Sequence, residues 1–392
     1  MEYAISHIAK IIGTRPVIVN ETVIDILLLD SRKVFAPVRS LFFALKSPRR
    51  NGHHFISPLY HIGVRNFVVD EAVDISLYPD ANFLRVDNCV HALQQLATAH
   101  RNLFSIPVIG ITGSNGKTIV KEWLYQLLQD DFNIVRSPKS YNSQIGVPLS
   151  VWQINETHDL GIFEAGISQP DEMQKLAKII MPTIGVFTSI GEAHGEGFLN
   201  IRQKINEKLK LFINSNSLIY CADQPDINEA VNTFKNNVRA GDDFELFSWS
   251  KKETAPLQII SIETNAVQTI IQSKWKETPV NFSIPFIDEA SVENAITCCC
   301  VLLHLGTSVE TIAERMMQLR TVEMRLELKQ GINNCSIIND SYSADINSLT
   351  IALDFLQQQH QHTHKTVILS DILESGIAAD VLYKTIAALL QQ

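Results

Sequence analysis

The run Val108-Ile-Gly-Ile-Thr-Gly-Ser-Asn-Gly-Lys-Thr118 constrains this chain more than any other stretch. Val108–Ile111 is short and largely apolar, the pattern of a strand buried on both faces. It leads into a loop containing Gly113 and Gly116, and then into Ile119–Leu128, which reads as a helix. A strand, a glycine-rich turn and a helix N-terminus make an anion cradle. Backbone N–H groups converge on the anion, and the helix dipole favours negative charge there. In such a loop Gly113, Ser114, Asn115 and Gly116 wrap the phosphates of a nucleoside triphosphate. Lys117 reaches the outer phosphates, and the Thr118 hydroxyl holds Mg²⁺. The general pattern has a glycine five residues before Gly116, where this chain has Ile111, so the loop is a variant.

A strand–loop–helix of this kind belongs to an α/β fold with a parallel sheet. Apolar runs at 108–111, 160–164, 184–188 and 218–221 suit buried parallel strands, and helical patterns at 171–180 and 201–213 lie between them. This predicts a doubly wound central sheet. Residues 257–284 alternate with period two around a turn at Glu263–Asn265, which predicts an antiparallel hairpin before a helix at 291–305. At 392 residues the chain is long enough for about two or three domains. Ser105-Ile-Pro107 marks one boundary and Gln318–Val322 a second, giving units at 1–105, 106–322 and 323–392. The first reads as a small α/β unit, with strands at 41–45 and 66–69 and a helix at 89–103. In the last, strands at 336–338 and 366–369 flank a helix at 347–358. That unit is short for an α/β domain and reads as cut off.

Hydrophobic residues make up 45% and charged residues 19%, a globular composition. The net charge of −9 argues against a general nucleic-acid binder. No apolar run approaches a membrane span, and Met1–Lys10 does not read as a signal peptide. The cysteines Cys89, Cys221, Cys298, Cys299, Cys300 and Cys335 show no CxxC spacing. They read as buried small hydrophobes in a reducing, cytoplasmic compartment. His360–His364 reads as a solvated loop.

Outside the glycine-rich loop, polar side chains stand at strand ends, where ligands bind in parallel sheets. Glu164 closes Leu160-Gly-Ile-Phe-Glu164 and is a candidate Mg²⁺ ligand. His194 lies in a glycine-rich loop after the strand at 184–188 and is a candidate ligand for a second ion. Ser140–Pro148, with Tyr141 and Asn142, has no regular period and reads as a binding loop. Near the N-terminus, Ser31 and Arg32 lie in one loop and Lys46, Asn51, Gly52 and His53 in another. The second is a basic island in an acidic chain, suited to a diphosphate.

Together these segments resemble the Mur ligase family over essentially the whole chain. The resemblance rests on Thr112–Thr118, Tyr141-Asn142 with Ile145–Pro148, Glu164–Gly166, Ile190–His194, Asp340-Ser-Tyr342 and Leu369-Ser-Asp371. Asp30-Ser-Arg32, Phe43–Leu45 and Asn51–His53 extend it to the N-terminus. It implies three domains: an N-terminal UDP-binding domain, a central ATP-binding domain and an incomplete C-terminal Rossmann-like domain. It implies that ATP activates the carboxylate of UDP-N-acetylmuramoyl-tripeptide as an acyl phosphate, which D-alanyl-D-alanine attacks to form an amide. Thr118 and Glu164 would then hold one Mg²⁺, with His194 and Lys208 serving a second. Lys208 stands where the family carries a carbamylated lysine, with Lys204 and Lys210 close by in the same helix. Asn294, Arg325 and Asp340 would contact the nucleotide, and Tyr141 and Asn142 the substrate channel. Ser343 and Asp345 depart from the family pattern, as do Ala290-Ser291. A monomer is the default, and a fused or partner alanine racemase fits the early end. Two other readings are a folylpolyglutamate synthase-like amide ligase and an inactive nucleotide-binding fragment.

Overall fold

The computed structural model describes every residue except 15–17, 48–49, 192–196, 242, 324, 334, 342–344, 360–361, 363, 373–377 and 392. The chain forms two units. One comprises Met1–Ser105, Tyr141–Thr157 and Lys178–Ile180, and the other Ile106–Ser140, His158–Ala177 and Met181–Gln392.

The first unit runs β1 (Tyr3–Ala4), α1 (Ile5–Ile11), β2 (Val23–Ile24), β3 (Ile26–Leu28), β4 (Ser40–Phe43), β5 (Lys46–Ser47), β6 (Arg50–Asn51), α2 (Ile56–His61), β7 (Asn66–Val69), β8 (Asn82–Arg85) and α3 (Cys89–Arg101). Strands β3-β4-β7-β8 pair in parallel, in that order. Side chains alternate across a strand. Leu41, Phe43, Val68 and Leu84 therefore pack with Ile5, Ile8, Leu93 and Leu96 on one face. Phe42, Phe67, Val69 and Phe83 pack with Ile56 and Leu59 on the other. Asn88 caps α3 by accepting from the His91 N–H.

The second unit opens with β9 (Val108–Thr112), α4 (Lys117–Leu128) and β10 (Ile134–Arg136). The chain contributes α5 (Gly146–Val151) to the first unit and continues with β11 (Leu160–Glu164), α6 (Met173–Ile180), β12 (Ile184–Phe187), α7 (Ile201–Leu209), β13 (Ser217–Cys221), α8 (Pro225–Val238) and β14 (Glu245–Ser250). Then come β15 (Leu257–Thr264), β16 (Thr269–Trp275), β17 (Thr278–Ile284), α9 (Glu289–His304), α10 (Val309–Met316), β18 (Glu327–Gln330), β19 (Ser336–Asn339), α11 (Ile346–Gln358) and α12 (Ala379–Leu390).

Nine strands form one sheet in the order β10-β11-β9-β12-β13-β14-β15-β16-β17. Pairing is parallel as far as β15 and antiparallel from β15 to β17. Every residue of β9 and β11 is buried, as their apolar runs require. From β9 the chain passes to β10 and β11 on one side and to β12 on the other. The C-terminal ends of β9, β11 and β12 thus form a switch point, the place where such sheets bind ligands. Trp123, Leu124 and Leu127 of α4 pack in one core with Ala295, Cys298 and Leu302 of α9.

Several expectations change. Residues 257–284 are a three-stranded meander continuing the main sheet, not a lone hairpin, and the turn falls after Thr264. Asn265 closes it, its side chain accepting from the Val267 and Gln268 N–H groups. β19 pairs antiparallel with β18, and residues 366–369 belong to no strand. Val367, Ile368 and Leu369 are all exposed, so their apolar run covers no core. Leu349, Ile372, Leu382 and Ile386 form a small separate core beside them. Five cysteines are buried, but Cys335 is exposed. No described helix is long and apolar enough to cross a membrane.

Candidate active site

The phosphate loop is shaped by two left-handed glycines. Gly113 has φ +145°, and a Cβ there would lie 2.0 Å from Thr188 Oγ1. Gly116, the cap of α4, has φ +83°, and a Cβ there would lie 2.4 Å from Asn294 Oδ1. Any other residue at either position meets both strain and overlap. The loop is braced from β12's end. Thr188 Oγ1 donates to the Asn115 carbonyl at 2.6 Å, and the Ser114 N–H donates to the Ser189 carbonyl at 2.6 Å. Asn294 is buried against Gly116.

Three lysine side chains gather around this loop. Lys117 Nζ donates to the carbonyls of Gly113 at 2.9 Å and Ser114 at 2.7 Å. Lys208 Nζ donates to the same Gly113 carbonyl at 2.9 Å, and Lys204 Nζ to the Gly191 carbonyl at 2.5 Å. Lys204 and Lys208 are one helical turn apart on α7 and share its inner face. Lys210 points away, paired with Glu207 at 2.5 Å and Asp171 at 3.5 Å. Desolvation pushes the Lys117 ammonium down to about 8, with Arg325 and Lys204 adding to the effect. Lys208 falls well below the usual lysine range, again through desolvation first and then the charges of Lys117 and Lys204. The cluster suits an anion.

The expected metal-binding groups stand at the start of α4 and the end of β11. Thr118 Oγ1 donates to Glu164 Oε2 at 3.1 Å and lies 2.9 Å from Ser140 Oγ. Glu164 is fully buried, and its Oε1 accepts no aligned hydrogen bond, though it lies 3.1 Å from the Lys121 ammonium. A buried carboxylate oxygen with free lone pairs beside a threonine hydroxyl is a donor set that suits Mg²⁺. Among the described residues, no three His, Cys, Asp or Glu side chains converge on a metal position. His194 lies outside the described residues.

Asp340 Oδ1 accepts from the Leu326 N–H at 3.1 Å, and burial raises its carboxyl while the nearby Arg325 charge lowers it. Arg325, before β18, and Asp345, before α11, both act electrostatically on Lys117. A cleft of about 650 Å³ between α9 and α11 is lined by Asp288, Glu289, Glu293 and Asp354. Those carboxylates would repel a triphosphate, which the lysine cluster attracts.

In the first unit the residues expected to bind UDP fall into two groups. Ser31 and Arg32 sit in the turn closed by the Lys33 N–H to the Asp30 carbonyl, with Arg32 forked onto the Asp30 carboxylate at 2.8 Å. Lys46 pairs with Glu71 at 2.8 Å and Asp70 at 3.3 Å. The Asn51 amide donates to Glu71, and His53 Nε2 accepts from the backbone N–H groups of both acids. Gly52 allows close approach: a Cβ there would lie 2.7 Å from the backbone of Ala44 and Leu45. The basic island is therefore matched by Asp70 and Glu71, which sequence reading missed. Tyr141 is exposed and Asn142 half-buried, in the loop before α5.

Sequence reading also missed Lys121 and Thr188, and it placed Ser140 in a binding loop without its contact to Thr118. Lys121 had one visible signal, a charge four residues after Lys117 and hence on the same helical face.

A glycine-rich loop between β9 and α4, a lysine cluster above it and a carboxylate at the end of the next strand define an α/β protein that binds nucleoside triphosphates. The chain matches the Mur ligase middle domain over residues 111–302. It is 30% identical over 378 residues to UDP-N-acetylmuramoyl-tripeptide–D-alanyl-D-alanine ligase of Bacillus subtilis (strain 168), covering 95% of this chain and 78% of that one. It superposes on a crystal structure of MurF from Acinetobacter baumannii with TM-score 0.84 at 24% identity, covering 99% of this chain and 83% of that one. MurF ligase from Thermotoga maritima, in complex with ADP, aligns with TM-score 0.72 at 23% identity, over 85% of this chain and 74% of that one. The chain belongs to the Mur ligase family.

Proposed function

We propose that this chain uses ATP to join D-alanyl-D-alanine to UDP-N-acetylmuramoyl-tripeptide, a step in building peptidoglycan precursors. The observation that carries the reading is the convergence of Lys117, Lys208, Thr118 and Glu164 around the Gly113 carbonyl and the end of β11. The relative with 30% identity supports the choice of substrates. The same reading assigns residues 1–105 to the UDP moiety through Ser31, Arg32, Lys46, Asn51, Gly52 and His53. It assigns 106–322 to ATP, and 323–392 to a C-terminal domain bringing Arg325 and Asp340 to the nucleotide. Asn294 contacts the nucleotide, and Tyr141 and Asn142 line the substrate channel.

The chemistry is activation of a carboxylate. The tripeptide carboxylate oxygen attacks the γ-phosphorus, the bond to ADP breaks, and an acyl phosphate forms. The amine of D-alanyl-D-alanine adds to the carbonyl carbon, and the tetrahedral intermediate expels phosphate and loses a proton. Each step concentrates negative charge near the glycine-rich loop. Lys117 leaves its loop carbonyls to meet that charge, and the loop N–H groups stay in place as preorganised donors. Mg²⁺ held by Thr118 and Glu164 would neutralise phosphate oxygens. His194 and Lys208 are assigned to a second ion. Burial favours the neutral Lys208 amine, the form that adds CO₂ and releases a proton to give a carbamate.

The test is direct. The chain is incubated with ATP, Mg²⁺, UDP-N-acetylmuramoyl-tripeptide and D-alanyl-D-alanine, and phosphate and pentapeptide product are measured. The reading expects phosphate release that requires both substrates and is abolished by Lys117→Ala. Phosphate release indifferent to either substrate overturns it.

A further inference from the structure

The mechanism above leaves unused one fully buried charge in the second unit. Lys121 is fully buried, one turn beyond Lys117 on α4. Its ammonium donates to the Ser137 carbonyl at 2.8 Å and, in a short contact, to the Lys139 carbonyl. It also lies 2.9 Å from Glu122 Oε1 and 3.1 Å from Glu164 Oε1. An ammonium has three protons. Two are engaged by the carbonyls, which leaves one for two carboxylates. Glu122 has a second partner in Arg136, at 3.1 Å. Glu164 Oε1 is left facing the lysine's charge without an aligned proton. Charge thus holds the carboxylate, while its lone pairs remain available to a cation.

The two carbonyls matter as much. They fix the chain from Ser137 to Lys139, directly before Ser140, whose hydroxyl meets Thr118. Ser137 Oγ in turn accepts from the Glu164 N–H at 3.2 Å. One buried ammonium therefore ties together the three segments that deliver Thr118, Ser140 and Glu164.

We infer that Lys121 is a positioning residue for the cation site, setting the Glu164 carboxylate and the 137–140 segment in the geometry that binds Mg²⁺ with nucleotide. The inference rests on the assignment of Glu164 and Thr118 to that ion. A neutral replacement leaves the Glu164 carboxylate without its buried counter-charge and two carbonyls without this donor, and an arginine keeps the charge but cannot place one nitrogen among these oxygens.

The experiment is calorimetric binding of ADP to the full chain, with EDTA and with MgCl₂, for wild type, Lys121→Met, Lys121→Arg, Glu122→Gln and Glu164→Gln. The quantity read is the factor by which Mg²⁺ strengthens ADP binding. Both Lys121 variants should keep Mg²⁺-free ADP affinity within about threefold and lose about tenfold or more of the Mg²⁺ enhancement, the worth of a charge-assisted contact. Glu164→Gln should lose it likewise, and Glu122→Gln should keep it. If Lys121→Met does not fold, Lys121→Met/Glu164→Gln should fold, because it removes both buried charges, and Lys121→Arg carries the binding test. Wild-type enhancement in Lys121→Arg and any folded Lys121→Met, with enhancement lost in Glu164→Gln, overturns the positioning role and leaves the metal assignment standing. Equal loss of ADP affinity with and without Mg²⁺ in the Lys121 variants overturns it as well. So does failure of the double variant to fold. Wild-type enhancement in Glu164→Gln overturns the metal assignment itself.

Discussion

Replacing Gly116 by alanine tests the loop geometry on which the site depends. At φ +83° a Cβ costs about 1–2 kcal/mol of backbone strain. The new methyl group would also stand 2.4 Å from Asn294 Oδ1, well inside contact distance. Asn294 is buried on α9, so relief requires leaving its rotamer, for about 0.5–1.5 kcal/mol. The sum is about 1.5–3.5 kcal/mol, divisible into a part belonging to the backbone and a part belonging to Asn294. Asn294→Ala removes the clashing oxygen and should return the second part only, a coupling of about 1 kcal/mol in a double-mutant cycle. Urea unfolding followed by tryptophan fluorescence reads the cycle, provided the slope is unchanged among the four proteins. The second unit carries Trp123, Trp249 and Trp275. A cost below about 0.5 kcal/mol for Gly116→Ala would refute the strain argument. A cost unaffected by Asn294→Ala would refute the proximity of Asn294 to the loop.

Other perturbations follow from single contacts. His100 accepts from Tyr3 Oη at 2.7 Å and donates from Nε2 to the Ile154 carbonyl at 2.9 Å, and burial lowers its imidazole to about 4. The unfolded chain binds this proton near pH 6.5, so stability present above that pH should fall by up to about 3 kcal/mol as pH drops through 4, and urea midpoints of His100→Gln should lack that component. Lys208 should form a carbamate when the protein is held in ¹³C-bicarbonate, giving a carbonyl resonance by NMR that Lys208→Ala lacks. Trp123→Phe removes the indole donor to the Arg320 carbonyl, 3.0 Å away, and should cost about 1 kcal/mol in urea unfolding. Amide exchange around Arg320 should quicken, and an unchanged rate would show that the bond contributes nothing there.

The parallel core was legible because burial on both faces leaves a plain signature. Val108–Thr112 and Leu160–Glu164 are largely apolar buried runs, the first leading into the glycine-rich loop and the second ending in Glu164. The meander was half legible: alternation gave its strand character, but nothing local says that β15 joins β14 in the main sheet. Residues 366–369 carried the strand signal without a strand, because a sheet needs a partner that local composition does not encode. Motif spacing brought Lys117, Thr118 and Glu164 to notice. Lys121 escaped because its role comes from carbonyls at 137 and 139, contacts made across the fold. Asp70 and Glu71 escaped for the same reason, lying on a different strand end from the basic loop they balance.

The distribution of thiols gives the molecule a built-in clock. Five cysteines are sealed in the cores, and burial pushes those of the 298–300 run far from the reactive thiolate, while Cys335 is exposed. A thiol-labelling reagent should therefore modify one site at once and the remaining five only as the units open. Mass spectrometry counts the added labels. A folded chain bearing more than one early adduct has lost part of its core, and the interval between the first label and the rest times the opening of the protein that holds the nucleotide loop.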